Sequence, residues 1–222
     1  LCADWSPEQI AGGLKLTYPD DECMRVSHET IYKSLFVQTR GLLRKELRTH
    51  LRSNRKFRHA KGHKPGSGQQ NIDGLSTRER PADVEDRAVP GDGEGDLNGG
   101  AENSDIATGV ERQTRFTLLV KVEGKKTDRV VPALARQMAK LPERLRQSLT
   151  WDRGTELASH QKSTVATDID VYFCDPSRPW QRGTNENTNG LLRQYFPKGS
   201  CLSSYSQQDL DKIANHLNNR PR

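Results

Sequence analysis

Three carboxylates, Asp96, Asp152 and Glu186, fall at positions from which an α/β fold can bring them together. Asp96 lies in a predicted strand, Asp152 ends another, and Glu186 opens a predicted helix. Carboxylates at strand ends and helix starts converge on the crevice where α/β sheets bind ligands. Three such groups suit Mg²⁺, which prefers oxygen ligands and keeps positions open for phosphates. The alternative is that each is a surface residue or a helix cap, since acidic residues are common.

The chemistry of such a metal site would be phosphoryl transfer. A pair of divalent ions activates an attacking oxygen and stabilises the leaving oxygen during an in-line displacement at phosphorus. The three residues are far apart in the chain, with 33 residues between Asp152 and Glu186 alone. Only a tertiary fold can therefore bring them to one site.

The elements that would position these carboxylates are predicted in residues 87–222. Apolar and β-branched runs predict strands, and the period of the apolar residues predicts a helix capped by Thr127 that runs through Leu141 and a second over 185–196. Strands followed by alternating helices and strands are typical of an α/β domain with a mixed sheet covered by helices. The predicted strands are 94–97, 106–108, 116–122, 148–152 and 171–174.

The N-terminal residues predict two short capped helices. Ser6 can cap the first, with Pro7 at the first helical position and Gln9 completing a capping box. Ser27 can cap the second. Two such helices with a break between them suggest a helix-turn-helix, although the break is longer than the usual tight turn.

A helix-turn-helix inserts the N-terminal residues of its second helix into the major groove of DNA. The alternative is a helical hairpin that only packs against another part of the protein. The candidate DNA-contacting residues of the second helix are Ser27, His28, Thr30 and Lys33.

Positive charge is concentrated in the first third of the chain. The 222 residues include 35 Lys and Arg against 29 Asp and Glu, a net charge of +6, and residues 1–65 account for all of it. Ten basic residues in 40–64, among them Arg44, Lys45 and Arg48, face only Glu46. Such a tract indicates binding to a polyanion, with nucleic acid as the first candidate. The alternative is a solvent-exposed face of a helix.

Composition also sets the domain organisation and excludes some classes. Residues 1–64 are predicted to form the helix-turn-helix and basic region, 65–86 a linker rich in Gly, Ser and Gln, and 87–222 the catalytic core. No apolar run is long enough for a transmembrane helix. The four cysteines lack a C-x-x-C pair, which favours a reduced cytoplasmic chain over a zinc finger.

Two runs, residues 148–154 and 180–199, resemble the bacterial insertion-sequence transposases of the IS-thirty type. Supporting matches occur in order along nearly the whole chain, and the separation of Asp152 from Glu186 is the one that this family uses. The supporting runs are residues 5–10, 26–32, 85–87, 90–91, 94–97 and 110–112.

The resemblance implies an RNase H-like catalytic core in which Asp96, Asp152 and Glu186 form a DDE triad. It implies two bound divalent ions, Mg²⁺ or Mn²⁺, with double-stranded DNA as partner: the terminal inverted repeats of the element and a target. It also implies a homo-oligomer on DNA and a location at the bacterial nucleoid. Arg182 and Arg193 would hold DNA phosphates, and their alternative is a surface salt bridge.

Some residues depart from the family pattern. Gly93 stands where the family has Trp, Gly13 where an aromatic is usual, and Asn98 and Gly109 where apolar strand residues are expected. A glycine in place of a large side chain should lose packing where the site is buried. These departures, a start at Leu1 and a short C-terminus lead us to expect a truncated or inactive copy. The alternatives are a related integrase, a non-catalytic DNA-binding protein derived from a transposase, and an unrelated metal-dependent nuclease.

Overall fold

The computed structural model describes residues 4–35, 89–102, 104–124, 126–151, 169–175 and 179–221. The chain divides into two compact units, residues 1–63 with 219–222, and residues 64–218. The whole predicted basic tract, residues 40–64 with Arg44, Lys45 and Arg48, lies outside the described residues, as does Asp152. No helix within the described ranges is long and apolar enough to cross a membrane.

The first unit contains the two predicted capped helices, α1 (Pro7–Thr17) and α2 (His28–Lys33). The Ser6 hydroxyl accepts from the Gln9 amide at 3.2 Å, and the Gln9 side chain accepts from the Ser6 amide at 3.0 Å. The Ser27 hydroxyl accepts from the Thr30 amide at 3.1 Å. Both predicted caps are confirmed.

Gly13 is buried in α1 rather than left beside a void. A Cβ atom added there would lie 3.1 Å from Pro221 Cγ and 3.4 Å from the ring of Trp5. Those two side chains occupy the room that an aromatic residue at position 13 would need. The expected loss of packing at this position is therefore not found.

The second unit is built on a five-stranded sheet in the order β3-β2-β1-β4-β5. β1 pairs antiparallel with β2, and β2 with β3, whereas β4 runs parallel to β1 and β5 parallel to β4. This mixed sheet confirms the predicted α/β class. The strands are β1 (Asp92–Gly99), β2 (Asp105–Glu111), β3 (Thr117–Val122), β4 (Ser148–Trp151) and β5 (Asp170–Phe173).

In the part of the second unit that the structure describes, three α-helices flank the sheet: α3 (Thr127–Met138), α4 (Gly183–Leu192) and α5 (Gln207–Asn218). The N-cap of α3 is Lys126, so Thr127 is the first helical residue rather than the predicted cap. α4 ends at Leu192, four residues before the predicted end. α5 was not predicted from the sequence.

Each face of the sheet has its own apolar core. On one face, α3 buries Val130 and Leu134 against Trp151 and Phe173. On the other face, Ile106 and Leu119 pack with residues of α4 and of the chain that follows it, such as Leu192 and Leu210. This second core covers β2 and β3 and leaves the same face of β1 to polar residues.

Two of the residues that depart from the family pattern, Gly93 and Gly109, line a cavity of about 30 Å³ on the face of the sheet that α3 covers. Gly93 and Gly109 contribute its sheet side, and Leu134, Met138 and Trp151 are among the residues that close it. A cavity in an apolar core loses the dispersion contacts that larger side chains would make. The expected packing loss is therefore found at these two glycines.

α5 covers the outer edge of β3 with two amide side chains. Gln207 accepts from the Lys121 amide at 2.9 Å and donates to the Leu119 carbonyl at 2.8 Å. Asn218 accepts from the Thr117 amide at 2.7 Å and donates to the Thr117 carbonyl at 3.0 Å. The two side chains bind the edge of β3 as a neighbouring strand would, which blocks pairing with another chain.

Replacing both amides, Gln207→Leu with Asn218→Leu, is expected to cause self-association. The change uncovers donors and acceptors on β3 that a second copy can bind by strand addition. Sedimentation velocity over a range of protein concentrations would show the larger species. The control is Gln208→Leu, an exposed position on the same helix. Equal behaviour of the double variant and this control would contradict the prediction.

Glu111 holds the turn that follows β2. Burial raises the pKa of its carboxyl, but hydrogen bonds donated by Thr114, Gln113 and Gly91 outweigh burial and hold the pKa below its usual 4.5. Its Oε2 accepts from the Thr114 hydroxyl at 2.6 Å, from the Gln113 amide at 3.1 Å and from the Thr114 amide. The ionised form is thus favoured by folding.

This lowered pKa predicts how stability depends on pH. Glu111 contributes stability that is fully present above its unfolded pKa, near 4.5, and is lost as pH falls through the lower folded pKa. We expect Glu111→Gln to be destabilised most above pH 5, with the difference from the wild type shrinking below pH 4. Urea denaturation across this range measures it, and a constant difference would contradict the assignment.

Candidate active site

One face of the central strand β1 carries only polar side chains along most of its length. Successive side chains of a strand point to opposite faces, so Glu94, Asp96 and Asn98 share one face. α4 contacts both β1 and β2 there. Polar groups on the central strand of a sheet cost free energy unless they are hydrogen-bonded, which makes this face the candidate site.

Asp96 lies in the middle of this face, opposite Thr108 of β2. Its Oδ1 accepts from the Leu97 amide at 3.0 Å and lies 3.2 Å from Arg182 Nη1. Its Oδ2 accepts from Asn189 Nδ2 at 2.9 Å. The side chain remains 28% exposed, so this carboxylate is held in a fixed orientation and still reaches solvent.

Glu186 lies on α4 between two residues that contact Asp96. Arg182, just before the helix, and Asn189 within it are spaced four and three residues from Glu186, the spacing of neighbours on one helical face. Both bind Asp96. Glu186 is exposed. The structure therefore presents the predicted acidic residues of β1 and α4 on the same side of the sheet.

Asn98 takes part in a hydrogen-bonded chain that leads to Asp96. Its Nδ2 donates to Thr108 Oγ1 at 2.7 Å and to Asn189 Oδ1 at 2.8 Å. Because Asn189 Oδ1 accepts this hydrogen bond, Asn189 Nδ2 is the end of the amide that faces Asp96. The expectation of an apolar residue at position 98 overlooked this role, because the residue faces the polar surface of the strand.

Glu94 and Asn185 join β1 to the start of α4 in the interior. Glu94 is fully buried, and its Oε1 lies 3.2 Å from Arg112 Nε while its Oε2 accepts from the Asn185 amide at 2.9 Å. The Asn185 side chain donates to the carbonyls of Glu94 and Thr108. Sequence reasoning missed these residues, and the available signal was the alternation of polar side chains through Glu94, Asp96 and Asn98.

The residues predicted to bind DNA have differing surroundings. Ser27 and Thr30 are exposed and their hydroxyls bind each other at 2.8 Å. His28 Nε2 lies 3.5 Å from Glu29 Oε1, and Lys33 is exposed. Contact of these residues with DNA stays a prediction.

The two arginines near Glu186 also differ. The Arg182 guanidinium contacts Asp96 and donates to the Gly95 carbonyl at 3.1 Å, with its side chain 20% exposed. Arg193 is exposed just after α4. Contact of either residue with phosphate stays a prediction.

The structure describes two of the three carboxylates predicted to form the metal site, Asp96 and Glu186. Asp152 lies outside the described residues; the residue before it, Trp151, is the fully buried end of β4, a strand parallel to β1. Within the described ranges, no group of three or more His, Cys, Asp or Glu side chains is arranged to hold a metal ion.

The second unit belongs to the class with an RNase H-like core: three antiparallel strands, two further parallel strands and flanking helices. No protein-family profile matches the chain. Over 221 residues the chain is 50% identical to the transposase InsI of insertion sequence element IS30A from Escherichia coli strain K12. It is also 47% identical over 219 residues to the IS1086 transposase of Cupriavidus metallidurans and 37% identical over 222 residues to the IS4351 transposase of Bacteroides fragilis.

Each of these alignments covers 98% of this chain. The chain belongs to the IS30 family of insertion-sequence transposases, as its motifs predicted. It spans 58% of the length of the Escherichia coli relative and 65% of the other two.

Proposed function

We propose that this chain carries the catalytic core of an insertion-sequence transposase that cuts and joins DNA by phosphoryl transfer. The observation that supports this most is the contact of Asp96 with the helix that carries Glu186, through Arg182 and Asn189. The proposal takes Asp152 as the third carboxylate. The DDE assignment rests on these three residues acting at one site.

The donor chemistry of the site suits Mg²⁺ or Mn²⁺. Asp96 is oriented yet partly exposed, and Glu186 is exposed, so both can offer carboxylate oxygens to a hard cation. Asp96, Asp152 and Glu186 would hold two ions. When bound, such ions stabilise charge on the attacking and leaving oxygens of an in-line displacement.

The chain's own residues orient the carboxylates and position the DNA. Arg182 beside Asp96 offsets part of the acidic charge and, with Arg193, is proposed to contact phosphates. In the first step, water attacks phosphorus at the element end and the bond to the 3′ oxygen breaks, which frees a 3′-hydroxyl. That hydroxyl then attacks a target phosphodiester and displaces its 3′ oxygen.

The first unit is proposed to bind double-stranded DNA at the terminal inverted repeats. The confirmed caps of α1 and α2 support a helix-turn-helix, with Ser27, His28, Thr30 and Lys33 toward the major groove. Target DNA and a second copy of the chain are the further proposed partners. Substituting Lys33 should weaken binding to all sequences and lower its salt dependence if Lys33 contacts phosphate.

The deciding experiment is a nicking assay with labelled element-end DNA and Mg²⁺ or Mn²⁺. Strand cleavage by the wild type that disappears in Asp152→Ala and in Glu186→Ala would support the enzyme. Binding of the same DNA without any nicking would instead support a non-catalytic DNA-binding protein. Nicking that survives both substitutions would contradict the DDE assignment.

A further inference from the structure

We propose that Glu94 is a positioning residue that fixes the start of α4 against β1 and thereby sets where Glu186 stands. The inference rests on the proposed function, since Glu186 matters only if it acts with Asp96. Glu94 has no contact with solvent, so it cannot itself bind DNA or a solvated cation. Its effect would pass through the helix.

Both oxygens of the Glu94 carboxylate have a directed partner on a different element. Oε1 lies 3.2 Å from Arg112 Nε, just after β2, and the Arg112 side chain is only 10% exposed. Oε2 accepts from the Asn185 amide at 2.9 Å, in the first turn of α4. One carboxylate thus joins three segments of the chain in the interior.

α4 depends on this contact because it has no cap of its own. Its N-cap residue, Arg182, makes no side-chain capping hydrogen bond. The first amides of a helix have no acceptor within the helix, and the acceptor for the Asn185 amide comes from Glu94. A carboxylate also interacts favourably with the positive end of the helix dipole.

The Asn185 side chain locks the same helix turn to the backbone of the sheet. Its Nδ2 donates to the Glu94 carbonyl at 2.9 Å and to the Thr108 carbonyl at 3.3 Å. Asn185 is 1% exposed, so these hydrogen bonds are shielded from water. Glu186 is the next residue, and its position therefore follows from how Asn185 is held.

Only a carboxylate fits between the two donors. Ionised glutamate presents acceptors on both oxygens, whereas glutamine presents one acceptor and one NH₂ group. In Glu94→Gln, the NH₂ group would face either Arg112 Nε or the Asn185 amide, both of which donate. The substitution keeps the side-chain shape and changes the hydrogen bonding, which makes it the informative variant.

The test measures α4 and cation binding separately in the full chain. Hydrogen exchange of residues 183–188 reports the first turn of α4, and electron paramagnetic resonance of free Mn²⁺ reports its affinity. Groups that only orient metal ligands typically change affinity about 10- to 100-fold. We expect Glu94→Gln to speed exchange in 183–188 and to weaken Mn²⁺ binding within that range.

A matched control separates positioning from general destabilisation. Glu111 is also a buried carboxylate of this sheet, but its partners are the turn at 113–114 and Gly91 rather than α4. Glu111→Gln should lower the free energy of unfolding while leaving exchange in 183–188 and Mn²⁺ affinity near wild type. Equal losses in both variants, or no change in Glu94→Gln, would overturn the proposal.

Two further variants keep the outcome interpretable. If Glu94→Gln does not fold, Asn185→Ala removes the side-chain bonds to the strands and should give the same two effects. In Glu94→Gln with Arg112→Met, one competing donor is gone, so protection of 183–188 should partly return. Absence of any effect from Asn185→Ala would count against the proposal.

Failure of the proposed function would look different. Asp96→Asn and Glu186→Gln should each weaken Mn²⁺ binding without faster exchange throughout the first turn of α4. If both variants bind Mn²⁺ as the wild type does, the shared metal site is wrong. If both variants lose Mn²⁺ binding and Glu94→Gln does not, the metal site is supported and the proposed role of Glu94 is wrong.

Discussion

Replacing Asp96 with asparagine is expected to reduce strand cleavage by more than about a hundredfold. Loss of a group that only orients a metal ligand costs roughly 10- to 100-fold, so loss of a ligand itself should cost more. Asparagine keeps the size of the side chain and removes its charge. Single-turnover nicking of labelled DNA in saturating Mg²⁺ measures the rate.

The same substitution should change stability only slightly. The Asp96–Arg182 pair is partly exposed, at 28% and 20%, and such pairs contribute about 0–1 kcal/mol. Asp170→Asn is the matched control, because Asp170 is an exposed aspartate on β5 of the same sheet. Comparable cleavage by the two variants would contradict a catalytic role for Asp96.

Replacing Gly95 with alanine is expected to lower the free energy of unfolding by about 3 kcal/mol, the upper end of the usual cost of overpacking a core. A Cβ atom at this position would lie 2.2 Å from two ring carbons of Trp151. The indole is fully buried, so neither group can move without breaking the core. Urea denaturation followed by circular dichroism measures the loss.

Gly109 provides a control for Gly95 from the neighbouring strand. The two glycines are direct cross-strand partners, yet a Cβ at Gly109 meets only Leu118 Cβ at 3.8 Å, an ordinary contact. Alanine there adds apolar volume beside a cavity and removes the entropy cost of glycine in a strand, about 0.5–1 kcal/mol. We expect Gly109→Ala to stabilise the protein, and equal effects at the two positions would contradict this interpretation.

The caps of α1 and α2 and most strands were predictable because their signals are local. The capping box at Ser6 and Gln9 and the cap at Ser27 use residues within three positions of each other. The strand predicted over 116–122 rests on one short run of β-branched and apolar residues, and it matches β3. Local hydrogen bonds and alternation leave a direct trace in the sequence.

α5 had a local signal that the sequence analysis overlooked. Ser206 and Asp209 form a capping pair, since the Ser206 amide and hydroxyl both donate to Asp209 Oδ2. Leu210, Ala214 and Leu217 then recur at helical spacing and are buried. These hydrogen bonds also hold the pKa of the exposed Asp209 carboxyl below its usual value.

The family, the α/β class and the three candidate carboxylates could be identified from the sequence alone. Motifs, the alternation of polar and apolar residues and helix caps all depend on residues that are close in sequence. Only the tertiary structure decided which polar residues of β1 are buried, that Glu94 caps a helix 91 positions away, and that Asn98 supports Asp96 through Asn189. Such contacts join residues whose separation carries no periodic signal, so they exist only once β1 lies under α4.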